Sequence, residues 1–219
     1  MLEIVRSESD RIQLSTIGFG MGNYNDILME GLADHGDGQY AYVDNAEEAE
    51  RVLRRDLTGS LEMIARNAKV QVEFIGAQIE RYRLIGYENR DVRDEDFRNN
   101  RVDAGEIGAG HEVTALYEVK LRPDCGPGRI ATVRMRYEIP GKGQFVEITE
   151  SLSSGRLREK APPDLMLDAC VAEFAEILRK SYWARESSFA AVLDRLHGLP
   201  GEVAEKPEVR ELVEMVEAA

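Results

Sequence analysis

Ile12-Gln13-Leu14-Ser15-Thr16-Ile17-Gly18-Phe19-Gly20 is a β-rich, mostly apolar run closed by glycine, and it predicts a strand followed by a turn. Asn25 or Asp26 then offers a side-chain oxygen to cap a helix whose apolar face is Ile27, Leu28 and Leu32. His35-Gly36-Asp37-Gly38 stops that helix, because glycine accepts the backbone conformations that end one. Gln39-Tyr40-Ala41-Tyr42-Val43 reads as a second strand. Asp44 or Asn45 caps a longer helix from about Ala46 to Met63, with Ala49, Val52, Leu53 and Leu57 spaced for a core face. A helix between two strands makes them parallel neighbours, since parallel strands need a crossover connection. With a further amphipathic helix over residues 2–10, residues 1–66 form a partial α/β unit of two parallel strands and two to three helices.

Downstream the period changes from helical to alternating. Val70, Val72 and Phe74 alternate with Gln71, Glu73 and Ile75, which predicts a half-buried strand. Residues 81–87, 111–119, 129–139 and 143–149 read as further strands, the last two joined by Pro140-Gly141-Lys142. Short strands without helical spacers predict an antiparallel, β-sandwich-like region over residues 67–160. After Pro162-Pro163, Asp164 caps a helix with a stripe of Leu167, Val171, Phe174, Ala175 and Leu178. Ser187-Ser188 opens the next, and Pro207 stands at the start of the last. Residues 161–219 are a helical C-terminal region packing on the β region. The fold class is mixed α+β.

Composition sets limits on function. The 219 residues carry 28 Lys and Arg against 41 Asp and Glu, a net charge of −13, which repels phosphate backbones and anionic membrane surfaces. No apolar run is long enough to span a bilayer, so membrane insertion is not expected. The start of the chain lacks the basic and apolar segments of a signal peptide. Cys125 and Cys170 lie in unlike contexts and are expected to be free thiols.

The first stretch, Ser15 to Gly20 with Asn25-Asp26, Leu28, Leu32-Ala33, Gly36, Gly38 and Tyr40, resembles the last third of a von Willebrand factor A (vWA) domain. A longer likeness is to the C-terminal extension of unknown function in a group of bacterial vWA proteins. It is carried by Tyr82-Arg83-Leu84-Ile85-Gly86-Tyr87-Glu88-Asn89-Arg90, by Glu95-Asp96-Phe97 and by Val102 to His111, continuing through Val113 to Glu118. The resemblance implies a protein-interaction and assembly module. Complete relatives build a metal-ion-dependent adhesion site from Asp-x-Ser-x-Ser and two later residues, and these 219 residues contain no Asp-x-Ser-x-Ser. The resemblance therefore implies half a binding domain without its metal site. The alternative is a metal-dependent binder whose site is completed by a separate upstream chain or by the full-length protein. Full-length relatives are often envelope-associated.

The loop Gly20, Met21, Gly22, Asn23, Tyr24 and Asn25 would lie beside that adhesion site and is the candidate interaction loop. An open edge on the first strand invites a protein partner or a second copy, because unpaired N–H and C=O groups template another strand. Other patterns favour ordinary structural roles. Asp91, Asp94, Glu95, Asp96 and Asp103 fail the EF-hand template, since Arg98 and Asn99 stand at its fifth and sixth positions from Asp94. Gly105, Gly108 and Gly110 read as turns leading into a strand at His111, and Gly18, Gly20 and Gly22 as a turn without a phosphate-binding lysine. His111 and Glu112 as strand neighbours point to opposite faces and form no acid–base pair. Ser153-Ser154 and Ser187-Ser188 lack a nucleophile motif, and Cys170 reads as core. Tyr182 and Trp183 are expected to pack the helical tail onto the β region. No catalytic, cofactor or metal residue is expected, and no enzyme activity.

Overall fold

The computed structural model describes residue 5 and residues 14–20, 25–56, 63–86, 92–102 and 104–219. The class is mixed α+β. The strands are β1 (Leu14–Phe19), β2 (Asp37–Val43), β3 (Met63–Phe74), β4 (Ile79–Ile85), β5 (Gly105–Gly108), β6 (Leu116–Leu121), β7 (Arg129–Ile139) and β8 (Gln144–Ser153). The helices are α1 (Asp26–Asp34), α2 (Ala46–Arg51), α3 (Pro163–Leu178), α4 (Phe189–His197), α5 (Gly201–Ala204) and α6 (Pro207–Ala218). The contacts group them into two compact units: Met1–Glu73 with Val92–Val113 and Thr132–Ser151, and Phe74–Asp91 with Thr114–Ala131 and Leu152–Ala219.

In the first unit β1 and β2 pair in parallel, with Thr16 opposite Tyr40 and Phe19 opposite Val43. The pairing depends on a residue without a side chain: a Cβ at Gly38 would stand 2.0 Å from the Leu14 carbonyl oxygen. Asn25 caps α1 by accepting from the Leu28 N–H at 3.0 Å, and Asn45 caps α2 by accepting from Glu48 at 2.8 Å. The helix expected to reach Met63 stops being α-helical at Arg51, passes through a π-turn (Val52–Asp56), and β3 already begins at Met63. There the backbone pairs with β5, so the long-range ladder overrides the local helical period. Leu57 of the expected core face lies outside the described residues, as does the helix over residues 2–10 apart from Val5.

A four-stranded sheet has the order β5-β3-β7-β8. Gly105 and Gly108, read as turn residues, are the ends of β5, and the turn proper falls at Ala109-Gly110. The face of β3 differs from the alternation read in its sequence: Lys69 is 4% exposed and Val70 is outward. Residues 92–102 decide this. They lie across the sheet with Phe97 buried, and the Lys69 ammonium donates to the carbonyls of Asp96 (3.2 Å) and Asn99 (2.8 Å). Arg98 grips Glu147 through two N–H groups at 3.0 and 2.7 Å, Arg136 donates to Asn100, and Gln71 donates to Asp94. A buried ammonium with backbone carbonyl partners loses much less than one without them.

In the second unit β4 and β6 form an antiparallel ribbon, with Arg83 opposite Glu118 and Ile85 opposite Leu116. The strand expected from His111 starts at Leu116, and residues 111–115 are irregular. Phe74 packs on Tyr82 and Tyr117 with ring centroids 4.3 and 5.4 Å apart. The helices enclose a core around Cys170, Phe174, Val192, Leu196, Val209 and Val216. Ser188 caps α4, and Pro207 opens α6 at a position where no N–H is needed. Asp164 lies in the first turn of α3 without capping it; Pro162 holds that place. The buried stripe of α3 is also rotated from the sequence reading. Cys170, Phe174 and Ile177 face the core, whereas Val171, Ala175 and Leu178 face outward.

Candidate interaction surface

The parallel pair presents the carboxyl ends of both its strands on one side, the usual place for a binding site in an open α/β sheet. Gly20 follows β1 there with φ +88°, a conformation that excludes most side chains. The Tyr42 hydroxyl donates to the Gly20 carbonyl at 2.9 Å, and the Tyr40 hydroxyl donates to Asp26 Oδ1 at 2.8 Å. Beneath them the buried Thr16 hydroxyl donates to the Met29 carbonyl at 2.8 Å, fixing α1 against β1. Gly20 and Asn25 of the expected interaction loop are thus placed at this end. Met21, Gly22, Asn23 and Tyr24 lie outside the described residues.

The flank of this site is apolar. Leu32 and Ala33 are the buried face of α1, whereas Ile27 is 84% exposed and Leu28 is exposed beside it. Of the apolar face Ile27, Leu28 and Leu32, therefore, only Leu32 is covered. Phe19, Tyr42 and Leu53 are also exposed, so large apolar side chains stand in water on β1, β2, α1 and the π-turn. Large apolar side chains standing in water on neighbouring elements mark a contact surface more often than isolated ones do, and Tyr42 with Ile27 and Leu28 lies on the α1 face of the pair whereas Phe19 lies on the other.

A second assembly escaped the sequence reading. Arg83 on β4 donates through Nε to Glu118 on β6 at 2.6 Å and through Nη1 to Glu176 on α3 at 3.4 Å. Its guanidinium carbon lies 4.8 Å from the Trp183 ring centroid. Glu176 also pairs with Arg179 and is 8% exposed, a buried acid held by two cations. Tyr182 and Trp183, expected to be covered by packing, are both exposed, with Arg185 over the Tyr182 ring at 4.3 Å. The motif around Tyr82-Arg83 was the available signal, but its partner Glu176 lies 93 residues away.

The remaining chemistry-bearing residues are committed to structure. A shallow groove of about 480 Å³ is lined by Leu121, Arg122, Cys125, Pro127, Ser154 and Leu157. The Ser154 hydroxyl accepts from Gly128 N–H at 3.0 Å and donates to the Gly126 carbonyl at 3.2 Å, and Gln78 accepts from Gly126 N–H. Gln39 Nε2 donates to His111 Nδ1 at 2.7 Å. Asp94, Glu95 and Asp96 form a short 3-10 turn, while Asp91 and Asp103 lie outside the described residues. Among the described residues no three His, Cys, Asp or Glu side chains are grouped to hold a metal ion, and no helix is long and apolar enough to cross a membrane. Cys125 and Cys170 are free thiols; burial pushes the Cys170 thiol up, against the pull of Arg195.

The sequence matches the family described as "Uncharacterized protein YfbK, C-terminal" over residues 59–126 and 124–219. Uncharacterized protein YfbK of Escherichia coli (strain K12) is 32% identical over 210 residues, covering 86% of this chain and 36% of that protein. The chain thus spans about a third of the length of this curated relative. The crystal structure of the ArnB paralog VWA2 from Sulfolobus acidocaldarius aligns with a TM-score of 0.39 at 19% identity, over 97% of this chain and 54% of that one.

Proposed function

The chain belongs to the YfbK C-terminal family, and we propose that it is a non-catalytic module for protein interaction and assembly. Its contact surface is the flank of the parallel pair, where Ile27, Leu28 and Tyr42 stand beside the carboxyl end of β1. One observation carries the reading: large apolar side chains, Ile27 and Leu28 on α1 and Tyr42 on β2, are exposed on adjoining elements whose buried sides are already filled by Leu32, Ala33 and Val43. Removing that surface from water upon docking is favourable by about 25 cal/mol per Å² before association costs are subtracted. The likeness of Ser15 to Tyr40 to the last third of a vWA domain supports the same role, since that domain is a binding scaffold.

The test is photocross-linking from a benzophenone side chain at Ile27, with one at the exposed Glu214 of α6 as control. A protein adduct formed from position 27 and lost on Leu28→Glu supports the reading, whether the adduct is a second copy or another protein. Equal yields from both positions, or none from Ile27 at any concentration, would remove it.

A further inference from the structure

The outward face of α3 has the spacing of a helix-pairing seam. Asp164, Asp168, Val171, Ala175 and Leu178 follow one another at intervals of four, three, four and three residues, the repeat that keeps one stripe facing a partner helix. Val171 is 46% exposed, Leu178 is 54% exposed, and Ala175 between them is also exposed. The other stripe of the same helix is already covered by α4 and α6 through Cys170, Phe174 and Ile177. Small Ala175 at the middle lets a second backbone approach closely.

The charges along this seam select the occupant. Its amino end carries Asp164 and Asp168, and its carboxyl end is followed by Arg179, Lys180 and Arg185. A like helix laid antiparallel brings the acidic amino end of each copy beside Lys180 of the other, and opposes the two helix dipoles favourably. A parallel copy sets like charges together. About a two-fold axis passing residue 173, Asp168 faces Leu178 beside Arg179 and Lys180, and Val171 faces Ala175. The face is self-complementary, as an isologous contact requires.

We propose that two copies of this chain dimerise by pairing α3 with α3, antiparallel, through Val171, Ala175 and Leu178. This surface belongs to the helical tail and is separate from the Ile27 flank. With 16 residues, α3 is roughly 24 Å long. One helix pair of that length buries an area at the low end of specific interfaces, so the dimer is reversible and concentration-dependent.

The experiment is sedimentation equilibrium of the full chain over a concentration series. The wild type passes from the mass of one chain to that of two. Val171→Asp with Leu178→Asp raises the midpoint concentration at least about tenfold, the equivalent of ~1.4 kcal/mol. Both side chains are exposed, so at concentrations where the wild type is one chain in mass the far-ultraviolet circular dichroism and melting temperature stay those of the wild type. Asp164→Lys/Asp168→Lys and Lys180→Glu/Arg185→Glu are each monomeric alone, and an equimolar mixture of the two dimerises. A wild type that stays one chain in mass at every concentration overturns the proposal. So does a dimer unmoved by Val171→Asp/Leu178→Asp, or charge-swapped pairs that gain nothing on mixing.

Discussion

Replacing Arg83 by Met keeps a long apolar stem and removes the guanidinium that joins β4, β6 and α3. Three contacts are lost. The bond to Glu118 is short, but Glu118 is 62% exposed, so it is worth about 0.2–1 kcal/mol. The bond to Glu176 reaches a buried carboxylate at 3.4 Å, and a charge-assisted bond there contributes roughly 1.5–3 kcal/mol, taken at the low end for its length. The stacked guanidinium on exposed Trp183 adds about 0.5–1 kcal/mol. Glu176 keeps Arg179, which spares the variant the larger penalty of an unpaired buried charge. Together the loss is about 2–4 kcal/mol. Urea unfolding followed by circular dichroism reads it, and Trp183 gives a local probe because it is the only tryptophan in the sequence. Glu118→Gln is the control, with an expected cost under about 1 kcal/mol. If Arg83→Met costs no more than Glu118→Gln, or if Trp183 emission is identical in the two variants, Arg83 is not the junction of β4, β6 and α3.

Four further outcomes are expected. Gly38→Ala places a Cβ 2.0 Å from the Leu14 carbonyl oxygen, so the parallel pair must part; a cost of roughly 1–3 kcal/mol or more should appear as early loss of amide protection in Thr16 and Ile17. Leu196→Ala, at 1% exposure in the helical core, should cost about 2–5 kcal/mol in the same urea assay, whereas Leu178→Ala on the outward face of α3 should cost far less. The hydrogen bond from Arg98 holds the Glu147 carboxyl below the usual carboxylate range, so its stabilisation of residues 92–102 is whole above about pH 4.3 and is lost as pH falls through the lowered pKa. Carbon-detected titration of Glu147 reads this directly, and an unchanged titration in Arg98→Ala would defeat it. A thiol reagent should label Cys125 in the native protein and reach fully buried Cys170 only on unfolding; equal labelling rates would contradict the packing of α3.

Local chemistry was legible where one residue decides an outcome. Asn25, Asn45 and Ser188 cap their helices as their side chains allow, Pro207 opens α6, and glycines at 141 and 143 carry the positive φ of the β7–β8 turn. The sequence was silent wherever two arrangements satisfied the same pattern. The apolar residues of α3 form two adjoining stripes, and only α4 and α6 determine which is covered. Lys69 and Val70 are consecutive on β3, and the carbonyls that draw Lys69 inward belong to residues 27 and 30 positions further on. Met63, the expected end of the second helix, is instead the first residue of a strand because β5 supplies a ladder. At the candidate surface, the position of Gly20 and Asn25 followed from the strand–helix order, whereas the exposure of Ile27 and Leu28 did not.

The way the two units share the chain bears on how the protein is made. The backbone passes between them at residues 73–74, 91–92, 113–114, 131–132 and 151–152, five passages, so that each unit is assembled from three separate segments. A ribosome delivering this chain cannot release a finished first unit and then begin the second. The first lacks its last segment until Ser151 has left the exit tunnel, by which time most of the ribbon belonging to the other is already outside. Nascent β3 and β4 must therefore wait with their edges open, the period in which strands find wrong partners. At a net charge of −13, unfinished chains repel one another through that interval, which opposes such wrong pairing between copies.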